Sequence, residues 1–182
     1  MDISADCDSV FVQFDYASYY DQFSLSADVA SHFCFKGRDN ETYALSRPPM
    51  GFSLACAIAQ SATWQILNFE KRSTPFTCID NVAFAGSLRD VWHDVTLFLE
   101  RCLKVNATLN DVTASMIREF LSANEEEQLR QVRSWHANQF TFLGVKYDWV
   151  SRQRSISDKT LDKLQAARRC LVSISGEIDR DS

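Results

Sequence analysis

The sequence predicts an α+β protein: an antiparallel sheet with helices packed on one face. Two segments, 76–86 and 139–150, read as hairpins, and the amphipathic helical stripes lack the regular strand–helix alternation of a βαβ series. The third observation is size. The chain has 182 residues, 46% hydrophobic and 24% charged, enough for one domain with a substantial core.

Residues 8–15, DSVFVQFD, alternate so that Val10, Val12 and Phe14 share one face and Phe11, Gln13 and Asp15 the other. That is a buried strand ending on a carboxylate. Residues 16–25 read as helical, with three tyrosines and Phe23. Strands near 31–37 and 41–46 flank the turn-forming GRDN, and PPMG at 48–51 is a break. A helix is expected over 53–69, made slim by Ala55, Ala57, Ala59, Ser61 and Ala62. The hairpin at 76–86 turns at Asp80-Asn81, residues that tolerate positive φ. Ser87 with Asp90 three residues on forms a capping box, opening a helix that runs to about 104 on a stripe from Leu88 to Cys102. Residues 113–135 read as two helices, the second opened by Glu125, Glu126 and Glu127. The 139–150 hairpin bends near Gly144, and a last amphipathic helix starts after Ser157.

Composition narrows the function classes. Nineteen Lys and Arg against 24 Asp and Glu give a net charge of −5, which argues against tight nonspecific nucleic-acid binding through the overall field. A local basic surface is still available: Arg152, Arg154, Lys159, Lys163, Arg168 and Arg169 stand against only Asp158 and Asp162. No apolar run reaches the ~18 residues of a membrane span, and MDISADCD lacks a signal pattern. An intracellular protein, in nucleus or cytoplasm and not secreted, is expected. The six cysteines form no CxxC pair and are expected to be reduced and mostly buried. His32 and Cys34 share a strand face but have no partners for a metal site.

Asp15 closes a hydrophobic strand and Asp80 sits in a hydrophobic hairpin turn. If the hairpin pairs beside the first strand, the two carboxylates converge at one sheet end. Converging hard oxygens suit Mg²⁺, which binds through one or two carboxylates plus substrate phosphates. The alternative is that Asp15 caps the next helix and Asp80 only makes a turn.

Six strings in order resemble the palm of a retroelement reverse transcriptase, an RNA-directed DNA polymerase. VFVQFDYASYYDQFSL resembles polymerase motif A, RPPMGFSLACAIAQ motif B and CIDNVAFAG the motif C hairpin. NATLN at 106–110 resembles the element after the motif C helix, FTFLG at 140–144 the primer-grip hairpin, and RSISDKTLDKL the approach to the thumb. The style is most similar to the tyrosine-recombinase (DIRS/VIPER-like) or Ty3-like groups. The resemblance implies a palm over 1–151, with an inserted helical segment at about 111–137, a thumb-like helix at 152–182 and no fingers.

The resemblance also implies roles. Asp15 and Asp80 bind Mg²⁺, or Mn²⁺, with Asn81 beside them in the catalytic set. Tyr16, Tyr20, Pro49, Met50, Gly51 and Gln60 contact the nucleotide and template, Tyr20 as the aromatic that selects deoxynucleotides. Phe142, Leu143 and Gly144 grip the primer. The partners implied are an RNA/DNA primer-template and deoxynucleotides. Asn81 replaces the family's second motif C aspartate, Cys78 replaces an aromatic, and Asp111 stands near the place of the motif D lysine. Two function classes follow. One is a palm active within a longer protein, the isolated chain being inactive. The other is a domesticated palm that binds nucleic acid or a protein partner without catalysis.

Overall fold

The computed structural model describes residues 8–49 and 51–178, with side chains to 169; Cys7, Met50 and the Cys170 side chain lie outside that range. The architecture is a mixture of antiparallel sheets and helices, as the patterning predicts. Two compact units divide the chain, Met1–His136 and Ala137–Ser182.

In the first unit, β1 (Ser9–Asp15) is followed by a 3-10 turn (Tyr19–Gln22), α1 (Ala27–Ala30), and the short strands β2 (Cys34–Lys36) and β3 (Thr42–Ala44). Then come α2 (Ala55–Ile66), β4 (Thr74–Cys78), β5 (Asn81–Ser87), α3 (Leu88–Lys104), α4 (Ala114–Ser122) and α5 (Glu125–Ser134). The main sheet has the order β1-β5-β4, all antiparallel. One face of it, Val10, Val12, Phe14, Val82 and Phe84, packs with Val91, Val95, Phe98, Leu99 and Cys102 of α3. The Phe98 ring lies 5.3 Å from Phe14 and 5.6 Å from Phe84. Ile117, Phe120 and Val132 extend the same core into α4 and α5. The Ser87 hydroxyl accepts the Asp90 N–H, so the capping box sets the start of α3 where the sequence puts it.

Asp94 is fully buried in α3 and ties down the entry to β4. Its carboxylate accepts the Arg72 and Ser73 N–H groups and the Ser73 hydroxyl, at 2.6–3.1 Å. At the outer edge of β1 the Phe11 N–H donates to His136 Nδ1 at 3.0 Å. The opposite edge strand, β4, carries Pro75, which has no N–H to offer.

Two expectations change here. Residues 16–25 form a single 3-10 turn rather than a helix, because Ser18 takes a left-handed φ of 42° and Gln22 is bound to Thr108 across the fold. The cysteines are not mostly buried: among the described ones, Cys102 is buried, Cys78 half-buried, and Cys34 and Cys56 are exposed thiols.

The second unit is a meander, β6 (Gln139–Phe142), β7 (Val145–Asp148) and β8 (Gln153–Ile156), followed by α6 (Asp158–Ile178). Leu143 and Gly144 both have positive φ, 51° and 78°, as a two-residue type I′ turn requires. β8 pairs with β7 across position 151, so the meander belongs to one unit with α6, and the chain divides between His136 and Ala137.

Candidate active site

The register of the main sheet brings the two aspartates together. Asp15 pairs with Asn81, and the Tyr16 N–H donates to the Asp80 carbonyl at 2.9 Å. The end of β1 therefore lies against the start of β5. Cys78 also pairs with Asn81, which makes the hairpin turn Ile79-Asp80 and not Asp80-Asn81. The turn contains a β-branched residue in the left-handed region, Ile79 at φ 54°. Helix α2 holds it there. Gln60 Oε1 accepts the Ile79 N–H at 2.7 Å, and the Thr63 hydroxyl donates to the Ile79 carbonyl at 2.8 Å. Tyr19 completes the clasp with its hydroxyl 2.8 Å from that of Thr63.

Residues 108–110 run along the other side of the site. Leu109 bridges to Tyr16, the Ala17 N–H donates to the Thr108 carbonyl, and the Asn110 N–H donates to the Asp15 carbonyl, both at 2.9 Å. The Asn110 side chain then donates to Asp15 Oδ2 at 2.6 Å, while Asp15 Oδ1 is buried without a partner among the described residues. Asn81 makes two side-chain bonds: Nδ2 donates to Asp80 Oδ1 at 3.1 Å, and Oδ1 accepts from Gln13 Nε2 at 3.0 Å. Burial pushes the Asp15 carboxyl above its ordinary range; the Asn110 bond opposes this, and the charges of Asp80 and Asp111 add to it.

Asp15, Asp80, Asn110, Tyr20, Arg47 and Pro49 line one cleft of about 590 Å³. Tyr20 is half-buried, with its hydroxyl 3.1 Å from Cys56 Sγ; that bond is the chief reason its phenol is pushed up to about 12. Tyr16 borders the cleft but its ring is buried, stacked on Tyr19 at 4.2 Å. Gln60 gives its amide to the hairpin, also donating to the Thr77 hydroxyl at 3.3 Å. Gly51 is exposed at φ 88°, as a turn before a helix requires, and Met50 lies outside the described residues. Phe142, Leu143 and Gly144 form the tight turn of the second unit's meander. Sequence reasoning missed Asn110 as a partner of Asp15, Gln13 as a partner of Asn81, and Arg47 at the cleft. Asn110 stands in the NATLN string, but nothing local links it to a carboxylate 95 residues away.

Among the described residues, no group of three or more His, Cys, Asp or Glu side chains gathers for a metal ion. The donors present are two carboxylates, one with an orphaned buried oxygen. That set fits a hard cation whose remaining ligands are water and phosphate oxygens.

No protein-family model and no curated protein matches the chain by sequence. Solved structures do. A foamy viral protease-reverse transcriptase dRH in complex with double-stranded DNA matches at a TM-score of 0.59 and 14% identity, over 86% of this chain. The foamy viral protease-reverse transcriptase with double-stranded DNA, and with an RNA/DNA hybrid, match at TM-scores of 0.57 and 0.58, again at 14% identity over 86% of this chain. The chain spans 24%, 28% and 18% of those three chains, respectively. The fold is reverse-transcriptase-like.

Proposed function

We propose that the chain is the palm of a retroelement reverse transcriptase, extending a DNA primer on an RNA/DNA template within a longer protein. The observation that carries this reading is the pairing of Asp15 with Asn81, which sets Asp80 beside Asp15 in the lining of one cleft. Mg²⁺ or Mn²⁺, when bound, supplies activation of the primer hydroxyl and neutralises charge on the leaving pyrophosphate. Asp15 and Asp80 would hold the cation, with Asp15 Oδ1 free of hydrogen-bond partners among the described residues. Arg47 brings a positive charge to the same cleft for phosphate oxygens. Tyr20 lines the same cleft, where a sugar hydroxyl would meet it.

A second reading, a domesticated palm that binds nucleic acid or a protein without catalysis, is favoured by Asn81. It is a neutral amide that adds no negative charge to the site, and both its polar atoms are engaged, the oxygen by Gln13 and the nitrogen by Asp80.

Mn²⁺ titration followed by paramagnetic NMR broadening tests the site in the chain as it stands. Broadening centred on Asp15 and Asp80, and lost in Asp15→Asn, is expected; broadening centred on Glu125–Glu127 overturns the metal-site reading. Asn81→Asp separates the two functions. It should tighten Mn²⁺ by about tenfold, a fraction of the ~4 kcal/mol that two unit charges 4 Å apart exchange near a protein surface. Unchanged affinity favours the non-catalytic reading.

A further inference from the structure

We propose that Asn110 is a positioning residue for Asp15: its side-chain amide takes Oδ2 and holds the Asp15 side chain in one rotamer, leaving Oδ1 as the atom offered to a cation. The use made of Oδ1 rests on the palm reading above; the positioning itself does not.

Thr108 is gripped on both sides by one side chain, its N–H donating to Gln22 Oε1 at 2.8 Å and its carbonyl accepting from Gln22 Nε2 at 2.9 Å. Gln22 Nε2 also donates to the Ala17 carbonyl at 2.6 Å, so one amide ties residue 17 to residue 108. With the Leu109–Tyr16 bridge and the Asn110 N–H bond to the Asp15 carbonyl, the backbone of 108–110 is held in register with 15–17. Asn110 therefore reaches Asp15 from a fixed base and not from a loose loop.

The side chain completes the grip. A carboxylate held by one donor, on an oxygen distinct from the one that will ligate, keeps its side chain in one rotamer while the second oxygen stays available. The geometry is of that kind: one Asp15 oxygen bonded at 2.6 Å, the other buried and unpartnered. The orientation of the amide follows from chemistry, since the flipped form would set its oxygen against a carboxylate oxygen. Asn110 is neutral, so it orders Asp15 without competing for the cation as a third carboxylate would. Asn81 treats Asp80 in the same way, donating Nδ2 to Oδ1.

The test uses the whole chain with Asn110→Ala and Asn110→Asp. Asn110 is exposed and its main-chain bond survives both changes, so both variants should fold. Scalar couplings that report Asp15 χ1, measured at neutral pH without metal, should show one rotamer in the original chain and averaging in both variants. Mn²⁺ affinity should fall about tenfold in Asn110→Ala, as removal of a ligand's orienting partner does. It should rise in Asn110→Asp, where the donor is lost but a carboxylate is gained, so the two readouts part in a way that mere packing would not produce. An unchanged Asp15 rotamer in Asn110→Ala overturns the proposal. Absence of Mn²⁺ effects at Asp15 in the original chain would instead overturn the metal-site reading, and the rotamer measurement would still decide the role of Asn110.

Discussion

Gln60 and Ile79 are joined by a 2.7 Å hydrogen bond from the Ile79 N–H to the Gln60 side-chain oxygen, which makes α2 the splint of the turn carrying Asp80. Thr63, one helical turn further on, binds the Ile79 carbonyl directly. A residue that resembles a template contact thus has a structural task at the site. Gln60→Ala leaves the half-buried Ile79 N–H unpaired and should cost about 1–2 kcal/mol in urea unfolding. No loss of stability would show that the turn stands without its splint.

Ile79 itself gives an inverted substitution order. Ala and Gly both delete its side chain, but only Gly is free of the roughly 1–2 kcal/mol cost of a left-handed backbone. Ile79→Gly should therefore be more stable than Ile79→Ala by about 1 kcal/mol, whereas at an ordinary strand position Gly is the weaker of the two. Thermal unfolding of the two variants side by side checks the sign.

Asp94 predicts a pH dependence. Burial pushes its carboxyl up, but the bonds from Ser73, His93 and the Arg72 and Ser73 N–H groups outweigh it and hold the group below its ordinary value of 3.8. A lowered folded-state value means the stabilisation is complete above the ordinary value and is lost as pH falls through the folded one. Asp94→Asn should cost about 2–3 kcal/mol at neutral pH, since donors would face an amide N–H₂. The gap between variant and original should narrow below about pH 4. A gap that stays constant down to about pH 2 would exclude the charged form as its source.

Gly144 is constrained twice. Its φ is 78°, and a Cβ there would meet the Thr160 hydroxyl at 2.7 Å. Gly144→Ala should cost at least the ~1–2 kcal/mol of the left-handed backbone. Adding Thr160→Ala should return only the steric part, so the double variant stays less stable than Thr160→Ala alone.

Arg154, Lys159 and Lys163 are exposed in the second unit. If this surface meets a nucleic-acid backbone, replacing all three with Ala should reduce the slope of log K against log salt by up to about 0.9 for each phosphate no longer neutralised. An RNA/DNA hybrid titrated from ~50 to ~200 mM salt measures it. A slope insensitive to the three substitutions would exclude these side chains from the interface.

What is legible in the sequence is whatever depends on near neighbours. The Ser87–Asp90 cap, the apolar stripe of α3 and the Gly144 bend each lie within a few residues, and each stands where the pattern puts it. The turn of the first hairpin lies one residue earlier than its composition suggests because its register is set from outside it, by Asn81 against Asp15 and by Gln60 against Ile79. The grip of Asn110 on Asp15 and of Gln13 on Asn81 has no local signal at all. Strand β8 is hidden for a different reason: all four of its residues are exposed, so no apolar alternation marks it.

The 108–110 segment has a second effect, on how copies of the chain behave in a crowd. An open strand edge is adhesive, since its row of unused N–H and C=O groups can recruit another molecule and seed a fibre. On β1 that row is interrupted at Phe11 by His136 and beyond Asp15 by Thr108, Leu109 and Asn110. On β4 it is interrupted by Pro75. Loosening residues 108–110 would therefore do more than disorder one carboxylate: it would uncover a sticky margin of the sheet, so that loss of the site and the onset of self-aggregation arrive together.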